Sequence, residues 1–190
     1  MGRNRRTAAA LGGSPARRWN QAVFLDRDGV LNRDTGYVAH ERDVRFCHRV
    51  LPLLRRYHRQ GFRMIVVTNQ SGVDRGYHTT QDILRCNRFL LRHLRRRGVP
   101  IDGLYYCPSQ RSGDRYRKPH PGMLLAASRR YQIDLSRSVM IGDRPTDMEA
   151  AQRAGVGRGI LLFRRPGRLW RPQANRNPRK KLSRDVIGLV

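Results

Sequence analysis

The sequence has few cysteines, and they lie far apart. The three thiols, Cys47, Cys86 and Cys107, are odd in number and form no Cys-x-x-Cys pair. This pattern favours neither a disulfide framework nor a cysteine-based metal site. A reducing, cytoplasmic setting is the simplest interpretation, because disulfides persist mainly in oxidising compartments.

Long apolar runs are missing as well. No stretch of the sequence approaches the roughly 20 apolar residues that span a bilayer, and the N-terminal segment lacks the apolar core of a secretory signal. Hydrophobic residues make up 38% of the 190 residues. We therefore expect one soluble domain of ordinary size, without a membrane partner, that works as a monomer.

Acidic residues and lysine are also scarce. The chain has 14 Asp and Glu against 40 Lys and Arg, a formal net charge of +26, and its only lysines are Lys118, Lys180 and Lys181. Such a field attracts nucleic acid, anionic membranes or phosphorylated small molecules without distinguishing among them. Because the arginines are spread along the whole chain, we interpret most of this charge as solvated surface. Nucleic acid is a possible partner but not the favoured one.

Both ends of the chain differ in composition from its middle. Residues 1–20 are arginine-rich, polar and interrupted by glycine and proline, which predicts a disordered extension. Residues 21–163 are predicted to form the folded domain. Residues 164–190 form a second basic segment with three prolines, which predicts an extended tail whose last residues could dock on the domain.

Short apolar runs alternate with amphipathic stretches through the middle of the chain. Strands are predicted at residues 22–25, 64–67, 104–106, 139–141 and 159–163, and helices at 50–57, 83–94, 121–131 and 148–154. This alternation predicts a Rossmann-like α/β fold, with a central parallel sheet and helices on both faces. Ligands bind beyond the carboxyl ends of such strands, so the residues just after each apolar run are the candidates for chemistry.

Polar side chains suited to phosphate chemistry follow several of these runs. Asp26 and Asp28 follow the first strand, where two carboxylates can divide the work of nucleophile and acid/base. Thr68 offers a hydroxyl, Lys118 a compact positive charge, and Asp143 a hard oxygen ligand for Mg²⁺. Each feature alone is a common turn or polar loop. Their conjunction, in order along the chain, favours a phosphoryl-transfer site.

The same segments carry a family resemblance, which covers roughly residues 22–163. The matching segments read FLDRDGVLN at 24–32, DTGYV at 34–38, VTNQSG at 67–72, RKPHPGM at 117–123, IGD at 141–143 and DMEAA at 147–151. They resemble the motifs of the haloacid dehalogenase (HAD) superfamily, in the branch of heptose bisphosphate and histidinol-phosphate phosphatases. The resemblance implies a HAD-type fold without a large cap domain.

The resemblance also implies roles for individual residues. Asp26 would attack phosphorus, Asp28 would act as acid and base, and Thr68 and Lys118 would neutralise the transferring phosphoryl group. Magnesium would bind Asp26, the backbone carbonyl of Asp28, and Asp143. The implied substrate contacts are Asp34, Thr35, Gly36, Tyr37, Asn69, Gln70, Ser71, Arg117 and Arg144.

The activity implied is that of a Mg²⁺-dependent phosphatase acting on a small phosphomonoester through an aspartyl-phosphate intermediate. A sugar phosphate such as D-glycero-D-manno-heptose 1,7-bisphosphate is the favoured substrate. Histidinol phosphate and phosphorylated nucleic-acid ends are alternative substrates. A further alternative, of another class, is a non-catalytic nucleic-acid-binding protein on this fold.

One segment departs from the branch. Many of its members bind zinc through Cys-x-His followed by Cys-x-Cys just before the Arg-Lys-Pro segment. Here Cys107 is present, but Ser109 replaces the histidine, and Asp114 and Tyr116 replace the second cysteine pair. One soft ligand cannot hold tetrahedral zinc, so we predict that the chain binds none.

Overall fold

The computed structural model describes residues 20–162 and the backbone of residues 163–164 and 184–189. Most of the two basic ends, for which the sequence predicts extended segments, lies outside these residues. In the described part of the chain, no helix has both the length and the apolar character that crossing a membrane requires.

A parallel sheet forms the centre of the molecule. Its strands are β1 (Ala22–Leu25), β2 (Arg63–Asn69), β3 (Gly103–Cys107), β4 (Val139–Gly142), β5 (Arg158–Arg164) and β6 (Arg184–Leu189). Their order across the sheet is β3-β2-β1-β4-β5-β6, and every neighbouring pair is parallel. The first five strands confirm the predicted parallel α/β fold. β6 pairs with β5 at the edge of the sheet.

Within the described residues, four α-helices connect and cover the strands. They are α1 (Leu51–Arg59), α2 (Thr80–Arg96), α3 (Gly122–Tyr131) and α4 (Pro145–Ala154). The loop between β1 and α1 contains only two short 3-10 helices, at Glu41–Asp43 and His48–Val50, and the loop between β3 and α3 contains no helix or strand, in keeping with the predicted lack of a large cap. α4 begins three residues before its predicted start, because Pro145 opens the helix and Asp147 caps it.

The two faces of the sheet bury separate apolar clusters. Alternate residues of a strand point to opposite faces, so Val23 and Leu25 pack with α1 and α2. Ala22 and Phe24 pack on the other side with α3 and α4. All four side chains are fully buried. Burial on both faces explains why each strand is continuously apolar and why polar groups gather only where the strands end.

Candidate active site

Three strand ends and one loop bring most of the predicted site residues to a single pocket of about 770 Å³. Asp26 follows β1, Thr68 lies near the end of β2, and Asp143 follows β4, which neighbours β1. Lys118 comes from the loop between β3 and α3. Because the strands are parallel and adjacent, their carboxyl ends meet at one edge, as the sequence predicts.

The ammonium group of Lys118 lies at the floor of this pocket. Its Nζ is 2.8 Å from Asp26 Oδ1 and 2.6 Å from Asp147 Oδ1, and it donates a hydrogen bond of 2.9 Å to the Val67 carbonyl. The side chain is 3% exposed. Burial would lower the pKa of Lys118, but the Asp147 and Asp26 carboxylates outweigh that effect and raise the pKa above its usual range. The lysine therefore remains charged and fixes the orientation of the Asp26 carboxylate.

Three carboxylates form a cluster that fits a divalent cation. Oxygens of Asp26, Asp143 and Asp147 all lie within 4.8 Å of one another. Asp143 Oδ1 is buried and has no hydrogen-bond partner among the described residues. Burial, together with the neighbouring Asp147, raises the pKa of Asp143 to about 6. The pKa of Asp26 is raised to about 7, mainly by burial. Hard, crowded oxygens of this kind suit Mg²⁺, whose charge would offset their repulsion.

Asp147 is the member of this cluster to which the sequence analysis assigned no role. It is 1% exposed, and its Oδ2 accepts a hydrogen bond of 3.0 Å from the Arg144 backbone, which caps α4. Its other oxygen faces Lys118. An acidic residue in the first turn after Pro145 is a recognisable helix-start signal. That signal predicts the cap but not the contact with Lys118.

Asp28 lies beside this group and is held by several donors. Its Oδ1 accepts from Asn32 Nδ2 at 2.9 Å, and its Oδ2 accepts from Gln70 Nε2 at 3.0 Å. The Arg27 guanidinium donates to the same Oδ2 through Nε and Nη2, at 3.0 and 2.8 Å. Gln70 Nε2 also donates to Thr68 Oγ1 at 2.9 Å. The structure thus joins the carboxylate of Asp28 and the predicted hydroxyl of Thr68, through Gln70, in one hydrogen-bonded group.

Most of the predicted substrate contacts line the same pocket. These are Asp34, Gly36, Tyr37, Asn69, Gln70, Ser71, Arg117 and Arg144. Thr35 is exposed beside the pocket and does not line it. Arg75, Pro145 and Thr146 also line it, although the sequence analysis did not single them out as site residues.

Several of these side chains already have protein partners. Asn69 uses both ends of its amide on the Lys118 backbone, at 3.0 Å each, so it braces the loop that carries the lysine. Arg144 pairs with Asp34 at 2.6 Å at the pocket mouth. Arg117 donates to the Ser109 carbonyl at 2.8 Å. The mouth of the pocket is therefore strongly cationic, with partly compensated charges.

Comparison with known proteins places these residues in a family. The HAD-hydrolase-like family profile matches residues 115–162. A D-glycero-alpha-D-manno-heptose-1,7-bisphosphate 7-phosphatase from Burkholderia mallei is 39% identical over 182 residues, covering 90% of this chain and 94% of that protein. A D-glycero-beta-D-manno-heptose-1,7-bisphosphate 7-phosphatase from Escherichia coli K12 is 40% identical over 161 residues, covering 80% of this chain and 83% of that protein.

Solved structures agree with the sequence relatives. A HAD-like phosphatase from Mesorhizobium loti has a TM-score of 0.72 at 36% identity, covering 80% of this chain and 77% of that chain. The D,D-heptose 1,7-bisphosphate phosphatase from B. bronchiseptica, complexed with magnesium and phosphate, has a TM-score of 0.69 at 31% identity, covering 75% of this chain and 80% of that chain. This chain belongs to the HAD superfamily of phosphoric monoester hydrolases, in the heptose-bisphosphate phosphatase family.

Proposed function

We propose that this enzyme removes the 7-phosphate of D-glycero-D-manno-heptose 1,7-bisphosphate through an aspartyl-phosphate intermediate. The observation that carries the proposal is the Asp26 carboxylate, which Lys118 holds at 2.8 Å at the floor of an open pocket. The names of the relatives supply the substrate. A transferring phosphoryl group spreads negative charge over its oxygens, so a site built from fixed cations and a carboxylate nucleophile suits it.

The residues divide the reaction into two steps. Asp26 attacks phosphorus while the bond to the sugar oxygen breaks, and Asp28 gives its proton to that leaving oxygen. Asp28, now a carboxylate, takes a proton from the water that attacks the aspartyl phosphate, which releases phosphate and restores Asp26. Lys118 and the Thr68 hydroxyl bind the phosphoryl oxygens. Mg²⁺, held by Asp26, Asp143 and the Asp28 carbonyl with Asp147 nearby, would supply charge neutralisation when bound.

The cationic mouth of the pocket suits a substrate with a second phosphate. Arg75 and Arg144 are exposed and Arg117 is half-buried, whereas Lys118 in the same lining is buried. A bisphosphate can place one phosphate on Asp26 and leave the other near these guanidinium groups, which bind phosphate well. The odd number and wide spacing of the three cysteines support a cytoplasmic location.

We also propose that the loop between β3 and α3 holds its shape without zinc. Hydrogen bonds span it: Arg117 donates to the Ser109 carbonyl at 2.8 Å, and a ring nitrogen of His120 lies 2.8 Å from the Ser112 carbonyl. Metal analysis of the purified protein tests this proposal. Stoichiometric zinc that is needed for activity would contradict it.

The test of the main proposal is phosphate release from a substrate panel with Mg²⁺. The panel compares both anomers of the heptose bisphosphate with histidinol phosphate and a 5′-phosphorylated oligonucleotide. We expect a heptose bisphosphate to have the highest kcat/KM. Asp26→Asn should abolish turnover of every substrate, because an amide cannot form the acyl phosphate.

Asp43→Asn is the matched control, since Asp43 lies outside the pocket, and it should retain activity. Turnover that persists in Asp26→Asn protein would overturn the mechanism. A preference for the oligonucleotide would contradict the proposed substrate.

A further inference from the structure

Arg27 is the largest side chain in the described part of the chain that is fully buried, with 1% of its surface exposed. Arg27 lies between the two catalytic aspartates in the sequence, but its side chain does not line the substrate pocket. A buried charge is costly unless it is paired and hydrogen-bonded. Such a side chain calls for an explanation beyond the packing of an apolar core.

The guanidinium group uses its donors on four different segments of the chain. Nε and Nη2 both donate to Asp28 Oδ2, at 3.0 and 2.8 Å. Nη2 also donates to Gln70 Oε1 at 2.9 Å and to the Val38 carbonyl at 2.7 Å. Nη1 donates to Asn87 Oδ1, on α2, at 2.9 Å. The guanidinium group therefore links Asp28 to the segment after β2, to the backbone at Val38 and to α2.

Arg27 donates two hydrogen bonds to the Asp28 carboxylate, whereas the pocket residue Gln70 donates one. A carboxylate on a short side chain can rotate about two bonds, and an acid/base must be held within a fraction of an ångström of its target. The planar fork of an arginine fixes the direction of a carboxylate, whereas lysine presents a point charge that fixes only its distance. Asn32 Nδ2, at 2.9 Å from Oδ1, holds the second oxygen.

We propose that Arg27 is a positioning residue for the acid/base Asp28, holding its carboxyl group at the leaving-group side of the site through the anchor on Asn87. The inference rests on the proposed function, because it needs Asp28 to protonate the leaving oxygen. It assigns no contact between Arg27 and the substrate.

The experiment compares two substrates that differ in their need for that proton. kcat/KM reports only the steps up to formation of the aspartyl phosphate, so it depends on how well the leaving group departs. A sugar phosphate leaves as an alkoxide and needs general-acid help, which contributes ~10²- to 10⁴-fold. An activated aryl phosphate, such as p-nitrophenyl phosphate, leaves as a stable phenolate and needs little.

We expect Arg27→Lys to lower kcat/KM for the sugar phosphate by ~10- to 100-fold. The loss for p-nitrophenyl phosphate should be several times smaller, and KM for both should change little. Arg88→Lys is the matched control, since Arg88 lies exposed on α2, next to Asn87, and it should leave both rates unchanged. Equal losses for the two substrates, or no loss, would overturn the inference.

A second variant keeps the test valid if Arg27→Lys protein folds poorly. Asn87→Leu removes the anchor of Nη1 without touching the pocket or Asp28. The Asn87 amide nitrogen is buried with no hydrogen-bond partner in the described part of the chain, so its loss breaks only the bond to Arg27. It should show the same substrate-dependent loss at smaller size, and an unchanged ratio would overturn the inference.

The two substrates also separate this inference from the proposed function. A wild-type protein that hydrolyses neither substrate would defeat both. An active wild type whose Arg27→Lys and Asn87→Leu variants lose both activities in parallel would leave the phosphatase standing and remove only the role of Arg27.

Discussion

At the scale of single residues, the structure shows how far a side chain depends on its neighbours. Lys118 and Asp26 stand 92 positions apart in the sequence, yet their charged groups are 2.8 Å apart and both are buried. Removing one member of such a pair leaves an uncompensated buried charge, which is strongly destabilising. Lys118 and the proposed nucleophile Asp26 therefore form one structural unit.

Gly29 affects the position of a neighbouring side chain because it has no side chain of its own. Its φ is +89°, and a Cβ at this position would collide with the Asp143 carboxylate. Gly29→Ala should therefore displace Asp143 and weaken Mg²⁺ binding, by roughly the 10- to 100-fold seen when groups that orient metal ligands are altered. Calorimetric titration of the protein with Mg²⁺ measures the effect.

Gly61 provides the control for this substitution. Its φ of +86° is nearly the same, but no atom lies within 4 Å of the Cβ that alanine would add. Gly61→Ala should carry a similar backbone strain, about 1–2 kcal/mol, and lower the urea midpoint without changing Mg²⁺ affinity. Wild-type Mg²⁺ affinity in Gly29→Ala protein would show that Asp143 is not a ligand.

At the scale of elements, the N-terminus of α2 is the best-defined helix start. The Thr79 side chain accepts a hydrogen bond from the Asp82 backbone, while Asp82 Oδ2 accepts from the Thr79 backbone at 2.9 Å. This reciprocal pair satisfies two of the free N–H groups that every helix start exposes. α2 carries Asn87, so its position matters to the Arg27 network.

The capping box makes the stability of the protein pH-dependent. Hydrogen bonds from the Thr79 hydroxyl and backbone, followed by one from Arg85, hold the pKa of Asp82 well below its usual range. A carboxyl group whose pKa is lowered on folding stabilises the protein above its unfolded pKa of about 4 and loses that contribution as the pH falls towards the lowered value. The stabilisation is therefore complete at neutral pH.

Urea unfolding of wild-type and Asp82→Asn protein tests this effect. The difference in unfolding free energy should be constant from neutral pH down to about pH 5 and should shrink below about pH 4. Thr79→Ala, which removes the hydroxyl donor, should reduce the pH-dependent part. A difference that grows as the pH falls would contradict the assignment.

At the scale of the whole molecule, the net charge of +26 should affect the rate at which anionic substrates reach the pocket. The arginines of the pocket mouth continue this field to the site. Long-range attraction between exposed charges is screened over about 10 Å at 0.1 M salt. The rate of substrate capture should therefore depend on ionic strength more strongly than the rates of the chemical steps do, because those steps occur among buried groups.

We expect kcat/KM for a sugar bisphosphate to fall by about 10-fold or more between low and high salt, with kcat nearly unchanged. A sugar monophosphate, carrying fewer charges, serves as the control and should have a shallower slope. A salt-independent kcat/KM would show that the field does not assist capture. Strong inhibition by duplex DNA at low salt that vanishes at high salt would instead identify polynucleotide as a ligand of the basic surface.

The sequence predicted the sheet and the chain order of the site because both depend on local patterns. A parallel strand buried on both faces must be apolar throughout, and polar residues can follow only where it ends. Asp26, Thr68 and Asp143 are therefore visible as breaks after apolar runs, and Lys118 is visible as the one lysine before the basic tail.

Tertiary structure alone decided where the ambiguous polar residues point. Arg27 resembles any of the many arginines in sequence, and only folding buries it against Asp28 and Asn87. Asp147 carries the signal of a helix cap, yet its second oxygen meets Lys118 because β4 and the β3–α3 loop converge. Side-chain burial and pairing across distant segments depend on packing, which no local pattern records. The sequence by itself therefore determined the fold and the candidate reacting groups, and the folded chain determined which charges hold those groups in place.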